Sequence, residues 1–412
     1  MPCPTPTSHE RAPLAFDLLL PRRVAFGWGR RRDIGALAGP LGRRALLVTG
    51  SRTLSRLGHV DEICGLLGRA GIEIVRLAES SREPRVEDVD RVAHRLHEMN
   101  VGTGDGDFVL AVGGGAAIDL GKAAAAMATN ANGCSVREFL EGVGTVRTLS
   151  RPPLPVMAMP TTAGTGSEAT KNAVISSDDP PFKKSLRCDD LVPRVALVDP
   201  ELTASAGAAV TAHAGMDAIT QLIESYLTPR ATPTTRALAI DALVDTPQAL
   251  RTACASGASD EASAAQQRQA RETMARAAFT SGVTLANSGL GMAHGVAAAL
   301  GVHCAVPHGL ACAVMLPAAM RTNRSVCESM IAKLAVPLTG RCDGDVATDA
   351  ARAIEAIESL CHDVGIPRCL GDIGVRSHQL DAIVASSRGN SMNGNPRTLG
   401  DEELHVILES LL

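Results

Sequence analysis

Short apolar runs alternate with helically spaced segments over the first half of the chain. Four runs have the length and apolar content of buried strands: 43–50, 72–78, 107–115 and 153–162. Three intervening segments have apolar residues at helical spacing: 60–71, 86–100 and 116–129. This strand–helix rhythm predicts a doubly wound parallel sheet. The run at 22–29 predicts an outer strand or hairpin.

The pattern changes after VALVDPEL at 195–202, where Ala-rich helical spacing replaces strand signals. Nine helices are predicted: 207–227, 233–256, 262–288, 291–301, 308–322, 326–337, 347–365, 377–388 and 401–411. We therefore expect an α/β domain over 15–204 and an all-helical domain over 205–412, with a ligand site in the cleft between them. The Pro-rich, polar segment 1–14 lacks an apolar signal core and predicts a disordered leader.

Composition narrows the classes of partner. The net charge is −4 and aromatic residues make up 2% of the chain, so neither a basic surface nor stacking rings for nucleic acid are expected. No apolar run approaches the roughly 18 residues that a membrane span needs. Eleven cysteines occur singly, with no CxxC pair. This favours reduced thiols in a cytoplasmic protein over a disulfide framework or a structural zinc cluster.

A glycine-rich turn follows the third predicted strand in AVGGGAAIDLGKA. Glycines at 113–115 allow close approach to backbone N–H groups, and the helix that follows adds a partial positive charge. A diphosphate suits this turn, but the pattern is not GxGxxG, so a tight structural turn is an equal alternative. Asp119 and Lys122 follow at helical spacing. They form either a surface ion pair, or Asp119 lies near the ribose or amide of a nicotinamide.

A second loop, PTTAGTGSEAT at 160–170, follows the fourth predicted strand. The hydroxyl groups of Thr161, Thr162 and Thr165 suit hydrogen bonds to a ribose, a phosphate or an adenine edge. Alternatively, the segment is a Ser/Thr turn that caps its own helix, with the help of Glu168. Because the carboxyl ends of parallel strands face the same crevice, two such loops together favour a nucleotide site.

Metal-ligand candidates lie in the helical half. Asp217 and Gln221 are four residues apart in GMDAITQLIE and share one face of a predicted helix. His294, His303 and His308 follow far downstream, and a lone histidine is usually a core residue. A histidine pair with Asp217 would suit Zn²⁺ or Fe²⁺ and leave positions open for substrate. Spacing alone does not decide, because the ligands would come from distant helices.

Six blocks in order carry a family resemblance: 113–122, 160–168, 191–203, 215–224, 289–295 and 307–317. Together they resemble the iron-containing, group III alcohol dehydrogenases from about residue 15 to residue 411. The resemblance implies a dinucleotide-binding α/β domain and a helical domain that binds metal and substrate, a fold shared with dehydroquinate synthase and glycerol dehydrogenase. It further implies NAD(P)-dependent interconversion of a small alcohol and an aldehyde or ketone by metal-assisted hydride transfer, in a homodimer or larger homo-oligomer.

The resemblance implies cofactor contacts at nine positions: Gly50, Gly114, Gly115, Ala116, Asp119, Thr161, Thr162, Thr165 and Lys183. Ala116 replaces a common Ser beside the diphosphate, and Lys183 would reach the ribose. Gly50 stands where many NAD-preferring members carry an Asp that repels a 2′-phosphate. With Ser51 and Arg52 following, we hypothesise that NADP(H) is accepted at least as well as NAD(H).

The same resemblance assigns the metal and catalytic positions. Asp217, His294 and His308 match three of the four ligands, and Gln221 stands where the fourth is usually His. An amide oxygen binds divalent metals more weakly than imidazole, so Fe²⁺, Zn²⁺ or Mn²⁺ would be held loosely or not at all. Ala298 replaces a His thought to assist proton transfer. A relay would then need water, a substrate group or His303.

The sequence also permits other functions. A maleylacetate reductase-type enzyme acting on an oxoacid, with or without a metal, shares the fold. Because Gln221 replaces the usual metal-binding His, this function stays an alternative. Retention of Asp119 and of Thr165 favours the alcohol dehydrogenase. A lyase related to dehydroquinate synthase and a catalytically inactive scaffold are further alternatives. The polar segment 388–396 predicts a flexible loop beside the cleft.

Overall fold

The strands of the described residues lie in the N-terminal half of the chain. The computed structural model describes residues 15–50, 52–101, 106–131, 133–144, 146–255 and 260–412, so the predicted leader at 1–14 lies outside the described residues. The strands are β1 Arg23–Phe26, β2 Arg44–Thr49, β3 Glu73–Glu79, β4 Asp107–Gly113, β5 Val156–Pro160, β6 Asn172–Asp178, β7 Pro181–Arg187 and β8 Val195–Val198. The helices of this half are α1 Ile34–Ala38, α2 Arg52–Arg56, α3 His59–Arg69, α4 Val86–Glu98 and α5 Gly115–Asn130.

Six of these strands form one parallel sheet in the order β1-β8-β5-β4-β2-β3. Successive side chains on a strand point to opposite faces. Leu46 and Val48 of β2 therefore pack with α4 and α5 on one face. Ala45 and Leu47 pack with α1 and α3 on the other. Because both faces are covered by helices, the strands are apolar throughout, and the predicted doubly wound α/β class is confirmed.

Strands β6 and β7 form a separate antiparallel hairpin that the sequence pattern did not reveal. Its apolar side is short: Ala173, Ile175 and Leu186 are buried in the core that α5 shares. Apart from Val174, Pro181 and Phe182, the remaining hairpin positions carry hydroxyl, amide or charged side chains. Such a polar hairpin lacks the apolar run by which the sheet strands were recognised.

The second half is helical, as predicted. Its helices are α6 Ala208–Leu227, α7 Pro233–Leu243, α8 Thr246–Cys254, α9 Glu261–Ser288, α10 Met292–Cys304, α11 His308–Ala332, α12 Ala335–Thr339, α13 Val346–Asp363, α14 Leu380–Ser386 and α15 Asp401–Glu409. The predicted helix 233–256 is interrupted at Asp245, whose φ of 62° is incompatible with a continuous helix. Conversely, α11 runs through the predicted break, with a kink at Cys327.

Helix α6 is buried over most of its length and forms the centre of the helical half, packed against α9 and α11. We place the boundary between the two halves at residues 204/205, between β8 and α6, and this division stays a prediction. Among the described residues, no single helix is long and apolar enough to cross a membrane. Helices α9 and α10, which meet at 102°, pass that test of length and composition only as a pair.

Candidate functional site

A cavity of about 490 Å³ lies where the ends of β4 and β5 meet helices α6, α10 and α11. Ten predicted site residues line it: Gly115, Ala116, Asp119, Thr162, Thr165, Lys183, Asp217, Gln221, His294 and His308. A second cavity, of about 700 Å³, is lined mostly by alanines near Trp28 and Arg268. The cavity lined by the predicted site residues is therefore the candidate site.

Three predicted site residues, Gly50, Gly114 and Thr161, lie just behind this lining. The backbone N–H of Thr161 donates to the Gly113 carbonyl at 3.0 Å and joins the two loops. A Cβ added to Gly50 would lie 3.1 Å from the Gly113 Cα, so Gly50 sits directly against the glycine turn. The Arg52 side chain is 84% exposed and is paired with Glu79, and Ser51 lies outside the described residues.

The glycine turn and the threonine loop touch each other. A Cβ on Gly115 would lie 2.7 Å from Thr165 Cγ2 and 2.8 Å from its Oγ1. A Cβ on Gly114 would lie 3.3 Å from Thr162 Oγ1. Real Cβ atoms essentially never approach as closely as at Gly115, so a larger residue there would push the two loops apart, and the contact at Gly114 is tight. The start of α5 consequently faces the cavity with no side chain of residues 114 and 115 in the way.

Asp119 lies at the cavity wall and is almost fully buried. Its Oδ2 accepts a hydrogen bond from the Val174 N–H at 3.1 Å, whereas its buried Oδ1 has no partner among the described residues. Burial raises the pKa of this carboxyl to about 6. The Oδ1 of Asn172, another cavity residue, is also buried without a partner there. Two acceptors thus remain available to a donor group in the cavity.

Lys122 does not form the surface ion pair that its spacing from Asp119 suggested. Its side chain is completely buried, and its Nζ donates to the carbonyls of Ser167 and Thr170 at 3.0 and 2.7 Å. The Thr170 Oγ1 accepts a third bond at 2.9 Å. Burial lowers the pKa of this amine to about 8. Lys122 therefore fastens the threonine loop to helix α5.

Four potential metal-binding side chains converge beside the cavity: Asp217, His294 and His308, which line it, and the buried Cys312, which does not. One donor atom from each lies within 4.8 Å of all the others. Asp217 Oδ1 is 3.2 Å from His294 Nε2 and 3.9 Å from His308 Nε2. Cys312 Sγ is 3.7 Å from His308 Nε2. The sequence analysis did not select Cys312, although it lies one helical turn after His308.

Gln221 lies beside this group, but its amide oxygen points elsewhere. Its Nε2 donates to Asp217 Oδ1 and to the Thr165 carbonyl, both at 3.3 Å. Its Oε1 accepts from Ser281 Oγ at 2.8 Å. Because a carbonyl and a carboxylate can only accept, the amide nitrogen must face them. The structure therefore directs the Gln221 oxygen towards Ser281, and its role as a ligand stays a prediction.

Glu224 is a further buried residue that the sequence analysis missed. Its Oε2 is 2.7 Å from His294 Nδ1, and its Oε1 accepts from the Ala293 N–H at 2.6 Å. The same carboxylate thus caps the start of α10 and orients the imidazole that α10 carries. Helical spacing offered a signal, because Glu224 is seven residues after Asp217 on the same face of α6.

The pKa values of the two imidazoles, His294 and His308, are shifted in opposite directions. Burial alone lowers the pKa of His294, but its contacts with Cys312, Asp217 and Glu224 outweigh burial and raise it well above the ordinary value. Loss of solvent, aided by the charge of Lys183, lowers the pKa of His308 to about 4. His308 is therefore neutral near pH 7. Burial raises the pKa of the Cys312 thiol to about 11.

The other predicted residues take varied positions. Lys183 forms an ion pair with Glu83 at the cavity wall, where Glu83 was not foreseen. Ala298 lines the cavity and offers no proton donor. His303 does not line the cavity. Its Nε2 lies 2.7 Å from the Oγ of Ser386, which does. Four residues of the expected loop, 388–391, do line the cavity.

Comparison with known proteins agrees with this architecture. The family model "Iron-containing alcohol dehydrogenase" matches residues 21–200, and the model "Fe-containing alcohol dehydrogenase family, C-terminal" matches residues 211–412. The chain is 32% identical to long-chain-alcohol dehydrogenase 1 of Geobacillus thermodenitrificans, over 95% of this chain and 96% of the relative. It is 34% identical to 1,3-propanediol dehydrogenase of Klebsiella pneumoniae, over 95% and 97%.

A solved structure of a 1,3-propanediol oxidoreductase superimposes with a TM-score of 0.87 at 31% identity, covering 97% of this chain and all of that one. The predicted family and the predicted fold are thus confirmed. The family implies a nicotinamide cofactor and a divalent metal. The chain belongs to the iron-containing alcohol dehydrogenase family and is an alcohol dehydrogenase.

Proposed function

We propose that this enzyme interconverts a small alcohol and its aldehyde or ketone by hydride transfer with NAD(P), assisted by a divalent metal. One observation carries the proposal: a single cavity joins the glycine turn and threonine loop to the acidic and imidazole donors of the helical half. A cofactor whose diphosphate lies at the turn would extend along the cavity towards the donor group. The substrate would then lie between the two.

The cofactor side of the cavity fits a nicotinamide dinucleotide. Residues 114–116 would line the diphosphate at the start of α5, where a Cβ on Gly115 would close the cradle. Thr161, Thr162 and Thr165 would contact the cofactor from the second loop, and Lys183 would reach its ribose. The unpaired Oδ1 of Asp119 would accept from the nicotinamide amide. When bound, the nicotinamide carries the hydride.

The metal side fits a divalent cation by the chemistry of its donors. A carboxylate and two imidazoles, from Asp217, His294 and His308, suit Zn²⁺ or Fe²⁺. A metal held there supplies Lewis-acid polarisation of the substrate oxygen. Gln221 remains a predicted fourth ligand, although its amide oxygen accepts a hydrogen bond from Ser281.

The protein's own groups prepare this chemistry. Glu224 accepts the Nδ1 proton of His294, which leaves Nε2 to face Asp217. The low pKa of His308 keeps its imidazole neutral, whereas His294, whose pKa is raised, would give up a proton on binding a metal. Since Ala298 supplies no proton donor, protons would exchange through water, a substrate group, or His303 by way of Ser386.

The oxoacid reductase stays the second candidate, because cationic side chains also line the cavity. Lys184, Arg187 and Arg388 face it together with Lys183, and a carboxylate-bearing substrate would find partners there. Several of these cations are already paired with Glu83, Glu141 or Asp401, which weakens this alternative. A homo-oligomeric state and a cytoplasmic location stay predictions.

Turnover of NADH and NADPH with a panel of aldehydes, ketones and oxoacids, before and after chelation, tests these proposals. We expect aldehyde reduction that chelators abolish and that added Zn²⁺ or Fe²⁺ restores. Full activity without metal, with an oxoacid such as maleylacetate preferred, would establish the alternative. Absence of turnover with every substrate and metal would refute both.

A further inference from the structure

We propose that Cys312 supplies the fourth protein ligand of the metal site, in place of the residue at position 221. The donor set would then be one carboxylate, two imidazoles and one thiolate, from Asp217, His294, His308 and Cys312. This inference rests on the proposed metal site and specifies which side chain completes it. It concerns the identity of a ligand, so it can fail while the proposed function stands.

The positions of the donors favour this assignment. Residues 308 and 312 are one turn apart on α11, so their side chains share one face. In a tetrahedral zinc site with bonds of about 2.0–2.3 Å, neighbouring donor atoms are separated by about 3.3–3.6 Å. Asp217 to His294, Cys312 to His308 and Asp217 to His308 are separated by 3.2, 3.7 and 3.9 Å, close to these edges, and all four donor atoms lie within 4.8 Å of one another. Small side-chain adjustments would therefore suffice.

Gln221 is poorly placed to compete. Turning its amide so that the oxygen faced the donor group would bring that oxygen against the Thr165 carbonyl and the Asp217 carboxylate. Both of these are acceptors, so two hydrogen bonds would be exchanged for repulsion. The amide instead stays bound to Ser281 on its oxygen side and holds Asp217 on its nitrogen side.

The Cys312 thiol is shielded from solvent and faces the other donors. Cys312 is fully buried, and its sulfur faces the imidazole of His308. On binding, the S–H bond would break, a sulfur–metal bond would form, and the proton would leave to solvent. A thiolate is a soft ligand, so the complete set favours Zn²⁺ over Mn²⁺. We therefore expect this site to prefer Zn²⁺ to Mn²⁺.

Cobalt substitution of the full-length enzyme tests the assignment. We expect Co²⁺-loaded wild-type protein to show a sulfur-to-cobalt charge-transfer band in the near ultraviolet. Cys312→Ser should lose that band, keep the visible bands of bound Co²⁺, and bind Zn²⁺ at least about tenfold more weakly. Cys327→Ser, at another buried cysteine of α11, is the matched control and should behave as wild type. Gln221→Leu should retain the charge-transfer band.

Zinc-edge X-ray absorption on the wild-type enzyme needs no variant and covers the case in which Cys312→Ser does not fold. We expect one sulfur neighbour at about 2.3 Å. Bound zinc with only nitrogen and oxygen neighbours would overturn the role of Cys312 and leave the metal-assisted function intact. Failure of the wild type to bind either metal would overturn both, and turnover of NAD(P)H would then show whether hydride transfer survives without a metal.

Discussion

Glu168 offers a test of how the threonine loop is held. It lies in the short turn Ser167–Ala169 within this loop, and its side chain is 2% exposed. Burial raises the pKa of its carboxyl from an ordinary 4.5 to about 7, and a backbone hydrogen bond and the charge of Lys122 offset only part of that rise. The folded protein therefore favours the neutral acid, which Glu168→Gln would mimic permanently.

The sign and size of the effect follow from linkage. Between pH 4.5 and 7 the folded state holds a proton that the unfolded state has released, so the contribution of Glu168 to stability is complete below pH 4.5 and is lost as the pH rises. A pKa rise from 4.5 to about 7 corresponds to about 3 kcal/mol. The free energy of unfolding of the wild type, relative to Glu168→Gln, should fall by about this amount between pH 4.5 and pH 8.

Urea unfolding at several pH values measures this difference, with circular dichroism and the fluorescence of the single tryptophan, Trp28, as probes. Glu87→Gln, at an exposed glutamate of α4, is the matched control and should follow the wild-type curve. Parallel pH profiles for the wild type and Glu168→Gln would refute the reasoning. They would mean that Glu168 is already ionised in the folded state at low pH.

Three further predictions concern the cavity. Gly115→Ala places a methyl group against the threonine loop, so the KM for NAD(P)H should rise about tenfold or more, whereas Gly68→Ala, which meets open space, should leave KM unchanged. Glu224→Gln removes the carboxylate that holds a ligand imidazole, and metal titration should show affinity about 10–100-fold weaker; unchanged affinity would contradict this role. Gly50→Asp should lower kcat/KM for NADPH relative to NADH by about tenfold or more, and an unaltered ratio would exclude residue 50 from cofactor choice.

The sheet could be predicted from the sequence because its cause is local. Strands buried on both faces must be apolar throughout, and the helices between them must carry one apolar face. The β6–β7 hairpin escaped prediction because only three of its apolar side chains, Ala173, Ile175 and Leu186, are fully buried in the core. The break before α8 is visible in the sequence, because Pro247 in VDTP is typical of a helix start and not of a helix interior.

Much of the candidate site could be predicted only through family resemblance. Asp217, His294 and His308 come from three helices, and nothing in their spacing brings them together. Cys312 was treated as one of many scattered thiols, although it shares a helix face with His308. Its proximity to Asp217 and His294 depends on how α6, α10 and α11 pack, which is a property of the tertiary fold.

Gln221 connects the two sides of the cavity. Its single amide nitrogen donates to Asp217, in the donor group, and to the carbonyl of Thr165, in the threonine loop. If Gln221 turned its amide to give its oxygen to a metal, that oxygen would face the Thr165 carbonyl and the Asp217 carboxylate, and both hydrogen bonds would be lost. Once Cys312 completes the donor set, position 221 is released for this second task. The substitution that looked like the loss of a ligand is then better explained as an exchange, in which one side chain binds the metal and another couples the metal site to the cofactor loop.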